Sequence, residues 1–432
     1  MIEKRTLRVA LLGAGSVGSQ VAHLLLTHRE ELAERAGAEL ELAGIAVRNP
    51  DAPRDVELPR ELLTTDAESL IVGSDIVIEL MGGIEPARTH LLTALTSGAD
   101  VVTGNKALLA THGSEIFDAA DQVGASVSYE AAVAAAIPII RPLKDSLAGD
   151  RIQRIFGIVN GSTNFILDKM DREGLSAEDA QRIASDLGYL EADPTLDLEG
   201  YDAAQKAAIL ASLAFHTKVS LDDVHREGIE NVTADMIEGA RRAGFVVKLL
   251  AVCERLEDDG EESISVRVYP ALIERDHPLA SVHGGNNAVF VEAAAAGPLM
   301  FYGAGAGGLQ TASAVLGDVV SAARRHIAGG VGVGESPRMS LPTAPIGRIL
   351  TRYQVRLEAT DEPGVLATIA GIFADGGVSV ATVDQSQREG DTASIVIGTH
   401  RAREQALSDT VARLAASDAV ERVVSVLRVE GE

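Results

Sequence analysis

The stretch Gly13-Ala14-Gly15-Ser16-Val17-Gly18 constrains this chain more than any other. It follows the apolar run Val9–Leu12 and opens an amphipathic segment, so it reads as the turn between a buried strand and a helix. Glycines at that spacing let the backbone approach a pyrophosphate at a helix N-terminus. Expected strands at 6–12, 39–47, 75–80, 99–103 and 125–129 alternate with helices at 16–34, 86–97 and 107–122. The alternation predicts an α/β fold, with a Rossmann-type doubly wound parallel sheet over residues 1–140.

Beyond residue 141 the pattern changes. Strands at 152–159, 263–269 and 288–293 mix with helices at 176–187 and 200–216, which predicts a second, mixed α+β domain over 141–302. Gly303-Ala304-Gly305-Ala306-Gly307-Gly308 feeds a helix at 311–327 that returns to close the first domain. Gly, Pro and Ser then gather over 328–349 without periodicity, as in a linker. The order strand 351–359, helix 364–375, strand 377–384, strand 392–398, helix 402–415, strand 420–428 predicts a ferredoxin-like βαββαβ unit over 350–432.

Charge and composition exclude several functions. A net charge of −25 repels nucleic acid and anionic membrane, so a phosphate-bearing ligand must be held by local geometry. The longest apolar run, Ala131–Ile140, is far below spanning length and contains Pro138, so the expectation is a soluble cytoplasmic protein. A single cysteine, Cys253, excludes an intrachain disulfide, and its apolar surroundings suit a core position better than the nucleophile of a phosphorylating aldehyde oxidation. The ten histidines show no spacing for a transition metal.

Several polar residues sit where chemistry is expected. Asp202 and Lys206 share one helix face, so a carboxylate can hold an ammonium group that donates a proton to a carbonyl. A solvated surface pair is the ordinary alternative. Lys106, after Asn105, lies just beyond the C-terminal end of a parallel strand, where such sheets bind ligands. Glu79-Leu80-Met81-Gly82-Gly83 ends the preceding strand, and Asn160-Gly161-Ser162-Thr163-Asn164 offers hydroxyls and amides, or simply a turn and helix cap. After the second strand stands Arg48 in place of an acid, which favours NADP over NAD.

GAGSVG, ELMGG, VVTGNK, NGSTNF, GYLEADPTLDLEGYDAAQK and GAGAGGLQTASAV, in this order, resemble homoserine dehydrogenase over residues 1–330. Residues 350–430 resemble an ACT regulatory domain through Asp361-Glu362-Pro363-Gly364-Val365-Leu366. The resemblance implies interconversion of L-homoserine and L-aspartate 4-semialdehyde with NAD(P), in a homodimer or homotetramer. It also implies Lys206 as proton donor, Lys106 as a second essential lysine, and Glu191, Asp197, Asp202 and Thr163 as substrate contacts. Cofactor contacts are expected at Gly13, Gly15, Ser16, Val17, Gly18, Arg48, Asn105, Lys106, Gly188, Gly303 and Gly305. Threonine is the effector expected at the ACT domain.

The chain departs from the family in three places. The sodium loop, glycine-rich in the family, here reads Glu130-Ala131-Ala132-Val133-Ala134-Ala135-Ala136-Ile137-Pro138. Its expected ligands are the carbonyls of Val133, Ala135 and Ile137 beside Glu130, and alanine fits only where φ stays negative. Gln310 replaces a proline, and Ser162 stands where threonine is common. The rival from another class is a non-catalytic sensor of cofactor and amino acid, in which Asp202 and Lys206 form a surface salt bridge.

Overall fold

The computed structural model describes residues 5–190, 193–258, 260–329, 339–387 and 392–431. The chain forms two compact units, one of Met1–Gly161, Asp202–Asp223 and Gly285–Leu341, the other of Ser162–Tyr201, Val224–Gly284 and Pro342–Glu432. Among the described residues no helix is long and apolar enough to cross a membrane.

The first unit is built on a six-stranded parallel sheet. Taking the strands in spatial order, Leu63–Thr64, Glu39–Ala46, Thr6–Leu12, Ile76–Glu79, Asp100–Thr103 and Val127–Ser128, the sequence positions run 3-2-1-4-5-6. That order reverses at the first strand, where doubly wound sheets open a ligand crevice. Leu7, Val9, Leu11, Ile76, Ile78 and Val102 are fully buried because helices cover both faces. The helix Gly308–Ala328 packs on this core through Ala312, Val315, Val319 and Ala323. The expected helix at 16–34 is two helices, Ser16–Thr27 and Arg29–Ala36, broken at His28, and the bend lets Leu32, Ala33 and Ala36 turn inward. The unit also holds three antiparallel strands, Ile152–Ile158, Asn286–Ala293 and Gly297–Ala304.

The second unit centres on a long hairpin, Phe245–Asp258 with Glu261–Glu274. The open edge of Glu261–Glu274 is covered in parallel by three separate segments: Thr343 at Ile264, His225–Arg226 at Arg267–Val268, and Arg428–Glu430 at Ala271–Ile273. From Val420–Glu430 the sheet continues through Leu350–Thr360, Thr392–Thr399 and Val380–Gln387. Helices Val365–Asp375 and Glu404–Ala415 cover one face, burying Val355, Leu357, Ile369, Phe373, Ile395 and Leu414. The βαββαβ order is thus present, but it shares a sheet with the hairpin of the expected substrate domain. The expected linker is also tied down where it is described. Met339 N–H donates to His216 O and Leu341 N–H to Thr217 Oγ1 in the first unit, and Ala344 N–H donates to Ile264 O in the second.

A buried charge network ties the hairpin to the last strand. Arg267, fully buried, donates to Tyr269 Oη at 2.7 Å, Ser265 Oγ at 3.1 Å, Glu254 at 2.7 Å and Glu430 at 3.3 Å. Arg428 lies over the Tyr269 ring at 4.4 Å and bridges Glu227 at 2.9 Å and Glu404 at 2.6 Å.

Candidate active site

The turn between Thr6–Leu12 and Ser16–Thr27 has the shape its glycines predict. A Cβ at Gly13, where φ is +98°, would fall 2.6 Å from Leu80 O, and one at Gly18 would fall 2.1 Å from Gly13 O. The loop is therefore pressed against itself, while a Cβ at Gly15 would meet nothing within 4 Å. Gly15 caps the helix without a side-chain acceptor and the first turn carries no acid, so no side chain caps the first N–H groups of the helix, an arrangement suited to a phosphate. These residues fit a dinucleotide. Gly308 lies against the same loop, a Cβ there falling 2.7 Å from Ser16 O. Arg48 is exposed just after Glu39–Ala46, next to a loop that Arg54 secures by donating to the carbonyls of Asn49, Pro50 and Ala52.

The lysines converge on one carboxylate. Asp202 and Lys206 lie one turn apart on the helix Tyr201–Phe215, with Lys206 Nζ 2.7 Å from Asp202 Oδ2. Lys106 Nζ stands 2.7 Å from Asp202 Oδ1. Asn160 Nδ2 donates to Oδ2 at 2.9 Å, and Lys206 donates a second bond to Val159 O at 2.6 Å. Asp202 and Lys206 are mostly buried, so the surface-pair alternative fails, whereas the Lys106 side chain keeps 41% of its exposure. Burial alone would push the Asp202 carboxyl up, but the Lys206 and Lys106 ammonium groups hold it well below the usual carboxylate range.

Lys106 occupies the first turn of Lys106–Val123, where the helix dipole disfavours a cation. Asp202 offsets that. Asn105 caps this helix by accepting from Leu108 N–H at 3.1 Å and donates to Gly83 O at 2.7 Å. Beneath it Glu79, fully buried, accepts from Thr103 Oγ1 at 2.6 Å and Met81 N–H at 2.8 Å, fixing the turn after its strand. The sequence places Glu79 and Asn160 at strand ends but does not mark Asn160 as the partner of Asp202. A strand end followed by Gly161 was the available signal, and a plain helix cap produces the same one.

In the second unit, Thr163 is buried in the helix Gly161–Glu173, Asp197 is half-buried in Thr195–Leu198, and Gly188 has φ +78° after Ala177–Asp186. Ser162 Oγ donates to Tyr189 O at 2.6 Å, and Tyr189 stacks on Phe165 at 4.6 Å. Glu191 lies outside the described residues. Gly303 is the penultimate residue of the strand Gly297–Ala304 and Gly305 follows the strand, both in the first unit.

The expected sodium loop differs from its sequence reading. Ala134 and Ala135 have φ of 55° and 53°, so the negative φ that alanine requires is absent, and each carries about 1–2 kcal/mol of left-handed strain. Glu130 is also committed elsewhere. Its Oε1 accepts from the N–H groups of Ile139 at 2.6 Å and Ile140 at 2.7 Å, and its Oε2 from Arg141 N–H at 3.0 Å and Nε at 3.1 Å. Asp318, pushed up to about 7 by burial, accepts from Glu130 N–H at 2.8 Å. No group of three or more His, Cys, Asp or Glu that could hold a metal occurs among the described residues. Burial likewise pushes the Cys253 thiol up to about 12, which disqualifies it as a nucleophile.

Comparison with known proteins points to one family. Residues 13–130 match the homoserine dehydrogenase NAD-binding domain, 138–320 match homoserine dehydrogenase, and 353–418 match the ACT domain. The chain is 52% identical to homoserine dehydrogenase of Corynebacterium glutamicum over 98% of its own length and 95% of the relative's. It is 52% identical to that of Mycobacterium tuberculosis, with 99% of each covered. A homoserine dehydrogenase structure from Thiobacillus denitrificans superposes with TM-score 0.90 at 38% identity, covering 99% of this chain and 98% of the other. A hyperthermophilic archaeal homoserine dehydrogenase in complex with NADPH gives TM-score 0.61 at 28% identity, covering 76% and 99%. A phosphate-ready fingerprint loop, two lysines on one buried carboxylate and these likenesses together place the chain in the homoserine dehydrogenase family, with a C-terminal ACT domain.

Proposed function

We propose that Lys206 is the proton donor and acceptor in the interconversion of L-homoserine and L-aspartate 4-semialdehyde, and that Asp202 positions it. The observation that carries this reading is the bracket of Lys106, Asp202 and Lys206 at 2.7 Å on either side of one carboxylate. Two of the three N–H bonds of Lys206 go to Asp202 and Val159, which leaves one for the substrate oxygen. The nicotinamide, when bound, exchanges a hydride with the substrate carbon. Negative charge on the substrate oxygen is then met by a cluster with two ammonium groups against one carboxylate, a net positive field in a partly buried place. Lys106 holds that oxygen or the substrate carboxylate. Glu191, with Asp197 and Thr163, is assigned to the rest of the amino acid by resemblance. An absorbance assay at about 340 nm with homoserine and each cofactor tests the reading; absence of turnover with either would overturn it.

The cofactor is a nicotinamide dinucleotide, and we propose NADP as the preferred form. Arg48 is exposed at the strand end where a 2′-phosphate would lie, and a neighbouring archaeal structure carries NADPH. Arg48→Asp is expected to raise KM for NADPH about 10–100-fold and leave KM for NADH nearly unchanged. Equal effects on the two would show that Arg48 only supports the strand end.

ACT domains characteristically bind amino-acid effectors, and we assign threonine here, acting through pairing of two chains in a cytoplasmic homodimer or homotetramer. Gly364, with φ +100°, caps the helix Val365–Asp375 without a side-chain acceptor, which leaves N–H groups for a carboxylate. The edge strand Val380–Gln387 exposes Val383, and the adjoining helix exposes Leu366, a surface that a second copy would cover. Threonine is expected to lower turnover of the intact chain and raise its Tm, and both responses should vanish in Gly364→Val. No response in the intact chain, or an undiminished one in the variant, would remove threonine from this turn. A sodium ion on the carbonyls of Val133, Ala135 and Ile137 is the remaining assignment by resemblance, with Glu130 shaping the loop rather than coordinating.

A further inference from the structure

Asn287 lies in the strand Asn286–Ala293, one residue beyond the Ala288–Ile158 pair, and so beside Val159, whose carbonyl receives Lys206. Its side chain is fully buried, yet neither Nδ2 nor Oδ1 has a hydrogen-bond partner. A carboxamide in that condition loses its hydration and gains nothing in return, whereas an apolar side chain of the same size would lose nothing. Folding alone therefore does not explain an asparagine here.

Glycines surround it. A Cβ at Gly305 would fall 2.4 Å from Asn287 Oδ1 and 2.7 Å from Gly285 O, and one at Gly161 would fall 2.6 Å from Gly285 O and 3.6 Å from Oδ1. At Gly305 the backbone thus approaches the carboxamide as no other residue type would allow, Gly161 is held instead against Gly285 O, and glycine peptides can rotate without a side chain in the way. In one direction Gly305 leads to Gly308, which rests on Ser16 of the dinucleotide loop. In the other, Gly161 follows Asn160, which holds Asp202.

We infer that Asn287 is a positioning residue for the reaction: seating of the dinucleotide on the Gly15–Ser16 loop turns the Gly305 peptide onto the Asn287 carboxamide. The inference rests on the cofactor reading above. The bonds so formed add to cofactor affinity and fix the Asn160–Gly161 turn from its far side, so that cofactor binding also firms the support of Asp202.

Asn287→Leu keeps the size and removes both polar atoms. The dissociation constant of NADPH, measured by fluorescence titration, is expected to rise at least about tenfold, while Tm without added NADPH stays the same or increases. Asn287→Ala gives a second reading of the affinity should leucine not fit. An NADPH affinity within about twofold of wild type in both variants overturns the inference, and so does a fall in Tm of Asn287→Leu with affinity unchanged, the mark of a carboxamide bonded to buried water. If the wild-type chain itself bound no NADPH, the cofactor reading would fall first and this inference with it.

Discussion

Lys206→Met is expected to lower kcat by about 10²–10⁴-fold, the usual contribution of a general acid, while the Kd for NADPH stays within about twofold of wild type. Methionine keeps most of the length of the side chain but removes both donated bonds, to Val159 and to Asp202. Asp202 retains Lys106 and Asn160, so the carboxylate is not left bare and the fold should survive. Circular dichroism and NADPH titration separate loss of chemistry from loss of structure. A variant keeping more than about a tenth of wild-type kcat would reject Lys206 as the acid.

Arg267→Met is expected to cost about 3–5 kcal/mol of stability, because it leaves Glu254 and Glu430 turned toward a site without a cation. The guanidinium is fully buried, and its neighbours Tyr269 and Glu430 are buried as well, Tyr269 Oη standing 2.5 Å from Glu430 Oε1. Removing the carboxylate too, in Arg267→Met/Glu430→Leu, should recover part of the loss, since an apolar replacement of a whole buried pair is often nearly neutral. Urea titration reads the effect as a lower midpoint at constant slope. A single variant within about 1 kcal/mol of wild type would mean that water already reaches the network.

The parts of this architecture that the sequence makes legible are those set by near neighbours. The fingerprint turn is legible because its glycines are required by contacts within a few residues, and the Asp202–Lys206 pair because helix spacing alone brings the two together. The Phe245–Asp258 strand is obscure for the opposite reason: residues Val246–Cys253 are buried on both faces, so no alternation marks them. Nothing in residues 420–430 announces a partner at Ala271–Ile273, because that pairing is decided by tertiary contacts far along the chain. Alanine carries no sign of a left-handed backbone, so the shape of Ala134–Ala135 is invisible before the fold is known. Asn160 is legible at its strand end, but a helix cap and a hydrogen-bond partner of Asp202 call for the same residue.

The edge of Glu261–Glu274 has a bearing on how the protein is made. Tyr269 and Glu430, which meet across that edge, are 161 residues apart. At translation rates of roughly 5–20 residues per second, the hairpin leaves the ribosome roughly ten to thirty seconds before the strand that shields it. During that interval the Ala271–Ile273 part of the edge is open to any other nascent chain. Chaperone demand should therefore peak before Val420–Glu430 emerges, and a premature stop ahead of Val420 should yield insoluble protein even though every residue of the lysine cluster has been translated.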